Sequence, residues 1–516
     1  MAEGQRSLPS TLPIPATLQN LSATQFVVWI GLPAAALIGL VASLVVVLAP
    51  DTNRPIFDDS YISLTYARNL AETGKLSFDG ESWSTGATSP LHVVIMAAPI
   101  ALGVEPFSAS LGVGVLSHAL LAAAVYLLGW ALFRSQLAAF CGAFAIATIG
   151  PAVLDSGNGL ETSLFMALLA LSMAAYLLDA SPRGKLVTGV LIGLLIWTRP
   201  EGAVMLPAIL VYRWLDRAEG EALRDYAYDA LRLAGPGVVA GGAIALFSLI
   251  VNGTLTGTGS AKWRFFQEDE QPLEDKVSVA STQIGILAGN VISLIALAAL
   301  TVRRKEAALF GLFWLPVVIA YVMLFPGGLA HYFYRYQHPV LPLLAVLAGG
   351  GAAYLIALAL SYRDWVVKGL VAAALVVALV PIGAQYKHWR DVYGQASRET
   401  LNDLEAMAIE LNTIIEPDET LAAHDIGALG YFADFHILDM VGLVNDDVIP
   451  YHDDRDFVSY FNEVEPDYLL TFPDWDLFFF RLFPQDHPER FELVKVYEGG
   501  PVRSQPYVLY RVIHTE

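Results

Sequence analysis

Cysteine is nearly absent from this sequence: Cys141, inside an apolar stretch, is the only one. No intrachain disulfide and no cysteine metal cluster can form. Charge is scarce too. Lys, Arg, Asp and Glu make up 16% of the 516 residues, where a soluble protein carries about a quarter. Basic residues are the rarer sign, 30 against 50 acidic. The resulting net charge of −20 removes the basic footprint that nucleic-acid binding needs. Also missing are a P-loop, a nucleophile elbow, Cys/His zinc spacing and a Rossmann glycine fingerprint. A cleavable signal is not expected, because the apolar run over 26–48 is too long for a signal h-region; it reads as a retained anchor. No internal repeat is evident, which counts against the repeat architecture of secondary transporters.

What the chain has instead is long apolar runs. Hydrophobic residues reach 55%, and the charges sit between stretches of membrane-spanning length, the mark of a polytopic membrane protein. The expected spans are 26–49, 109–132, 136–153, 160–179, 186–197, 202–214, 230–251, 284–302, 307–325, 337–360 and 366–385. Segment 89–103 is short of the roughly 20 residues a span needs. Basic clusters at Arg134, Arg183/Lys185, Arg213/Arg217/Arg224, Arg303/Arg304/Lys305 and Arg363/Lys368 all fall on the side of the N-terminus if 89–103 does not cross. The positive-inside rule therefore favours about 11 transmembrane helices, a cytoplasmic N-terminal tail over 1–25 and an outer C-terminus. The membrane domain is expected over 26–385, with a first outer loop at 51–108. The tail 386–516 reads as a small extracytoplasmic α/β domain. Helical spacing covers 398–415, short strands are predicted at 420–424 and 468–472, and a terminal strand pair at 491–497 and 507–513. The fold class is mainly α with that small α/β appendage.

On this topology the unusual polar residues collect on the outer face. Asp58 and Asp59 open a helix-period stretch just past the first span, where ionisable groups usually mark a site or pathway. Adjacent carboxylates on a helix diverge by about 100°, so one can face a cavity and serve as a general base while the other faces elsewhere. Helix capping is the competing explanation. Arg199 and Glu201 flank a Pro-marked break; the Arg fork suits a phosphate, or the pair closes a helix end. Asp155, Asn158 and Glu161 lie in a Gly-containing loop, where carboxylates can serve a metal or a sugar hydroxyl, or a cap. Lys262 with Arg264, and His331, Tyr334, Arg335 and His338, add cations and aromatics that also suit lipid headgroup contacts. The His424-Asp425 step is a weak metal signal without further ligands. A strand end running into a Gly-rich turn explains it equally well.

Together these segments resemble GT-C-type glycosyltransferases. The resemblance is to the branch that includes mycobacterial arabinofuranosyltransferases and related bacterial transferases. It rests on Phe57-Asp58-Asp59-Ser60-Tyr61-Ile62 with Tyr66-Ala67-Arg68-Asn69-Leu70 and Thr88-Ser89-Pro90-Leu91. Gly159-Leu160-Glu161-Thr162, Thr198-Arg199-Pro200-Glu201-Gly202, Arg335-Tyr336-Gln337-His338-Pro339-Val340-Leu341-Pro342 and Ala423-His424-Asp425-Ile426-Gly427-Ala428-Leu429-Gly430 follow in the same order, as does Leu438-Asp439-Met440-Val441-Gly442-Leu443. The chain departs from the pattern at Gly86-Ala87 and at Gly257-Thr258-Gly259-Ser260-Ala261-Lys262.

The resemblance implies a plasma-membrane enzyme that moves one sugar from a polyprenyl-phosphate donor to an outer-leaflet glycan, lipid or protein acceptor, with inversion. It implies an aspartate base, Asp58 or Asp59, and cations Arg199, Lys262 and Arg335 against the leaving phosphate. Asp155, Glu161, Glu201, His331 and Tyr334 are substrate or metal candidates, and a divalent cation (Mg or Mn) occurs in some relatives. Two alternatives of other classes are a secondary transporter or flippase of lipid-linked sugars and a non-catalytic cell-envelope assembly protein.

Overall fold

The computed structural model describes residues 22–267, 271–301, 305–452, 454–500 and 504–514; the side chains of Ser260, Lys262 and Trp263 also fall outside the description. Most of the expected N-terminal tail, residues 1–21, therefore lies outside the described residues. Among the described residues six helices are long and apolar enough to cross a membrane: Ala23–Val47, Pro106–Phe133, Leu223–Asn252, Ala307–Leu324, His338–Ser361 and Trp365–Leu411. A seventh span is available if Leu273–Asn290 and Ile292–Ala298, bent by 82°, count as one. This is a multi-pass membrane protein, with fewer full-length spans among the described residues than the eleven expected.

The difference has local causes. The run expected over 136–153 breaks where Ile149 turns extended ahead of Gly150-Pro151, leaving a 13-residue helix, Gln136–Thr148. The run at 202–214 begins as a 3-10 turn, Pro200–Val204, and only Met205–Leu215 is α-helical. Thr162–Leu178 and Pro182–Thr198 have 17 residues each, about 25 Å of helix. Pro90–Ala101 has 12, too short to span.

Small residues let the helices approach backbone to backbone, as is usual where lipid supplies no hydrophobic drive. A Cβ on Gly349 would lie 2.5 Å from the Ala138 carbonyl, and one on Gly39 would lie 2.8 Å from the Ala122 methyl. These contacts bind Gln136–Thr148 to Leu341–Ser361, and the first span to Pro106–Phe133.

The last long helix does not stop at the expected domain boundary near 386. Trp365–Glu399 continues through a π-turn into Ala406–Leu411, 47 residues in all. It delivers the chain to a five-stranded sheet in the order β2-β1-β3-β5-β4, with β1 Thr420–Ala423, β2 His436–Asp439, β3 Tyr468–Thr471, β4 Phe491–Tyr497 and β5 Tyr507–Val512. β1 pairs in parallel with β2 and β3, whereas β5 is antiparallel to β3 and β4. Four strands match the sequence expectation. The fifth, β2, is a short edge strand with one exposed and two half-buried residues among its four, so it carries no alternation to read.

The tail is docked, not tethered. Tyr61 and Leu64 of the helix Asp58–Thr73 share a buried cluster with Phe107, Met407, Leu411, Ala428 and Leu429. Arg54 pairs with Glu405 at 2.8 Å, and the Tyr61 hydroxyl also bonds Glu405.

Candidate functional site

Neither aspartate caps its own helix. Phe57, in extended conformation, is the N-cap of Asp58–Thr73, so Asp58 and Asp59 occupy its first two positions and diverge. Asp58 is buried, and its two oxygens accept the N–H groups of Gly427 (2.7 Å) and Ala428 (2.8 Å). It therefore satisfies the start of the helix Gly427–Phe432 in the C-terminal domain. Capping was the right physics applied to a helix almost 370 residues away.

Burial, reinforced by the charge of Asp425, pushes the Asp58 carboxyl up to about 8 against the pull of the two N–H donors. Between its ordinary value of 3.8 and about 8 the folded chain keeps a proton that the unfolded chain releases. Stability from this group is thus complete below the lower value and is lost as pH rises through the upper one. The expected result is that protease severs the C-terminal domain of the wild type progressively faster, relative to Asp58→Asn, from pH 5 to 8. Cleavage-rate ratios across that range test it.

Asp59 points the other way. Its side chain is 31% exposed, the Arg335 Nη2 stands 3.0 Å from Oδ2, and the Tyr332 hydroxyl donates to Oδ1 at 3.2 Å. Arg335 is buried under the rings of Tyr332 and Tyr336, with its guanidinium carbon 5.0 and 4.8 Å from their centroids. Its Nε has no hydrogen-bond partner. The backbone that presents it is strained. Tyr332, Phe333 and Tyr334 all have positive φ, 44°, 57° and 71°, a conformation costing about 1–2 kcal/mol per L-residue. Such strain persists only where surroundings over-determine it, and it concentrates at functional sites. Here Tyr332 stacks on Phe57 at 4.1 Å and Phe333 meets Trp389 edge-on at 5.4 Å. His338, buried, ties the segment down through Asp155 Oδ2 (2.7 Å) and the Phe333 carbonyl (3.0 Å).

Beneath this lies a second buried cation. Arg199 Nη2 is 3.0 Å from Glu201 Oε1, and its Nε is 3.7 Å from Glu161 Oε1. Tyr321 donates to the same Glu201 oxygen at 2.7 Å. Arg199 also lies over Tyr336, 4.9 Å from the centroid, so both arginines share one ring. Its Nη1 has no partner. A charged, buried guanidinium with an unfilled N–H is costly unless something binds it.

Of the residues expected from sequence, Asp59, Arg335, Glu161, Arg199 and Glu201 form this connected array. His331 adjoins it, with its ring 3.9 Å from that of Tyr332 and 5.8 Å from that of Tyr336. Tyr334 is half-buried and belongs to the strained turn. Asp155 does not join them; it bonds Asn158 (2.9 Å) and His338 (2.7 Å). Lys262 lies in the short helix Ala261–Phe265, its side chain outside the described residues. The sequence gives Tyr332 and Tyr336 no role and offers Asp425 only as half of a weak His-Asp metal signal. Only the aromatic density of residues 331–336 could have signalled the two tyrosines.

The two departures from the family pattern touch each other. A Cβ on Gly259 would lie 2.6 Å from the Gly86 carbonyl, and one on Gly257 would lie 2.8 Å from that of Thr85. The Thr85 hydroxyl accepts the Thr258 N–H at 3.0 Å and is also 2.5 Å from Asn252 Nδ2. The segment carrying Lys262 is thus locked to the Thr85-Gly86 turn by small residues. Gly259→Ala should destabilise the fold by about 1–3 kcal/mol, read as a lower thermal midpoint in detergent.

A divalent cation does not fit these side chains as they stand. Both oxygens of Asp58 hold backbone N–H groups, and both of Asp59 face Arg335 and Tyr332. Among the described residues no group of three or more His, Cys, Asp or Glu side chains is arranged to hold a metal.

Comparison with known proteins agrees with this architecture. The structure is similar to that of ArnT from Cupriavidus metallidurans bound to undecaprenyl phosphate, with TM-score 0.55 and 14% identity, covering 96% of this chain and 99% of that one. It is also similar to the oligosaccharyltransferase AglB from Archaeoglobus fulgidus in complex with an inhibitory peptide and a dolichol-phosphate (TM-score 0.54, 13% identity, 92% and 74% covered). The oligosaccharyltransferase of that organism in complex with zinc and sulfate gives TM-score 0.52, 15% identity and 92% and 72% coverage. The chain has the GT-C fold. Residues 387–510 match a family model described as a domain of unknown function (DUF8728). No curated protein matches the sequence.

Proposed function

We propose that the protein is a membrane glycosyltransferase that takes one sugar from a polyprenyl-phosphate donor, with inversion, and that Asp59 is the general base. The observation that carries this reading is the pairing of Asp59, partly exposed, with buried Arg335, whose Nε is unfilled, beside buried Arg199, whose Nη1 is unfilled. Two spare N–H groups on one aromatic ring suit a phosphate, which arginine binds through several oxygens. That similar structures are described as bound to undecaprenyl phosphate and to a dolichol-phosphate supports a lipid phosphate as the ligand class.

In this mechanism an acceptor hydroxyl attacks the anomeric carbon as the bond to the phosphate oxygen breaks. Its proton passes to Asp59, and the electron pair leaves with the phosphate. Arg335 couples the two events. As Asp59 becomes neutral, the guanidinium it had engaged turns its full charge to the phosphate, where negative charge is growing. Arg199 stabilises the same oxygens, and Glu161 and Glu201 hold it in place. Lys262 is a further cation for the phosphate. The active face is proposed to be extracytoplasmic, with the N-terminus in the cytoplasm of the cell whose plasma membrane the protein spans; the acceptor is a glycan, lipid or protein of the outer leaflet. Purified protein in nanodiscs, supplied with radiolabelled hexosyl and pentosyl polyprenyl phosphates and envelope lipid, should yield labelled product. Absence of transfer from every such donor, with flux of intact donor across proteoliposomes, would instead support the flippase.

A further inference from the structure

We infer that the C-terminal domain supplies a working part of this site: the Asp425 carboxylate binds hydroxyl groups of the donor sugar. Asp425 comes two residues after the end of β1, an interior strand of the sheet. Tyr507, from β5, donates to its Oδ2 at 2.5 Å. His424 accepts the Phe472 N–H on Nε2 at 3.2 Å, and its Nδ1 stands 3.2 Å from Asp425 Oδ1 without hydrogen-bond alignment. The imidazole is fixed in turn by stacking on Trp475 at 4.2 Å.

Three elements thus orient one carboxylate, yet none neutralises it with a Lys or Arg among the described residues. Burial opposes its ionisation, but His424 and Tyr507 hold its carboxyl below the usual range, so it is an acceptor at neutral pH. Its side chain remains 25% exposed. An ionised carboxylate has about four acceptor positions, and among the described residues Tyr507 donates to one of them while His424 Nδ1 stands near another.

Its position gives those free lone pairs a purpose. Asp425 lies two residues before Gly427, whose N–H is clamped by Asp58, and Asp58 adjoins Asp59. Asp425 acts electrostatically on Asp58 and Tyr332, and His331 acts on Asp425. Tyr332 in turn bonds Asp59. The site is therefore bipolar. One end holds arginines with unfilled N–H groups, the Arg335 side chain being only 4% exposed. The other holds an oriented carboxylate with unfilled acceptor positions. A sugar phosphate has the same polarity, anionic at C1 and rich in hydroxyl donors around the ring.

This rests on the glycosyl-transfer reading, and the test separates the two. Binding of undecaprenol, undecaprenyl phosphate and undecaprenyl-phosphate glucose and arabinose to the full-length protein in nanodiscs is measured by native mass spectrometry. Wild type should prefer the phosphate over the alcohol and at least one sugar ester over the bare phosphate. Asp425→Asn should leave bare phosphate binding unchanged while weakening the preferred sugar ester by about 10- to 100-fold, the range for a hydrogen bond to a charged group. Tyr507→Phe, which keeps the charge and loosens its orientation, should weaken it less. If wild type does not distinguish phosphate from alcohol, the glycosyl-transfer reading fails. If it does, but Asp425→Asn either preserves the sugar increment or weakens both phosphates equally, the assignment of Asp425 fails on its own.

Discussion

Asp59→Asn is expected to lower sugar transfer by about 10²–10⁴-fold, the usual contribution of a general base, while the thermal midpoint stays within a few degrees of wild type. The asparagine keeps the shape and an acceptor oxygen for Tyr332 but cannot take a proton. Because Asp59 is partly exposed and bonded to one arginine and one tyrosine, little packing depends on its charge. Donor binding should survive or tighten, since Arg335 no longer has a competing carboxylate. This separates chemistry from architecture, and kcat with polyprenyl-phosphate sugars is the quantity to measure. Asp58→Asn should behave differently. Its amide group presents an N–H₂ to one of the two backbone donors at Gly427 and Ala428, so activity and domain docking fall together.

Gly427→Ala carries the second large effect. The new methyl would sit 1.9 Å from the Asp58 carbonyl oxygen, a backbone atom with no freedom to swing aside, and 2.7 Å from its Oδ2. The helix Gly427–Phe432 must back away, breaking both N–H contacts to Asp58. Overpacking costs about 1–3 kcal/mol, and each buried N–H left unpaired adds about as much. The expected outcome is release of the C-terminal domain: protease cuts after the last long helix, transfer is lost, and the membrane helices remain intact. Unchanged protease resistance would mean that the contact does not hold the domain in place.

How much of this was legible in the sequence depends on the range of the interaction. The outer-loop helix, Pro90–Ala101 being too short to span, and the strand ending before the Gly-rich turn at 427 are local patterns, and they were readable. Asp59, Arg199, Glu201, Glu161 and Arg335 announced themselves as expensive charges in apolar surroundings. The division of labour between Asp58 and Asp59 was not readable, because it depends on which of them meets a helix start in a separate domain. The contact made by Asp155 was unreadable for the same reason. Its partner His338 lies 183 residues on, so nothing local signals the bond. Helix lengths were less readable than apolar runs, because Gly150-Pro151 divides a hydrophobic run without changing its average hydropathy.

The central claim is that Asp59 takes the proton in glycosyl transfer from a lipid phosphate. It is tested most directly by single-turnover transfer from radiolabelled undecaprenyl-phosphate sugars in nanodiscs, with donor binding measured on the same samples for wild type and Asp59→Asn. The account predicts product from wild type, and from the variant undiminished donor binding with transfer slowed at least about 100-fold. Transfer by the variant at the wild-type rate would contradict it.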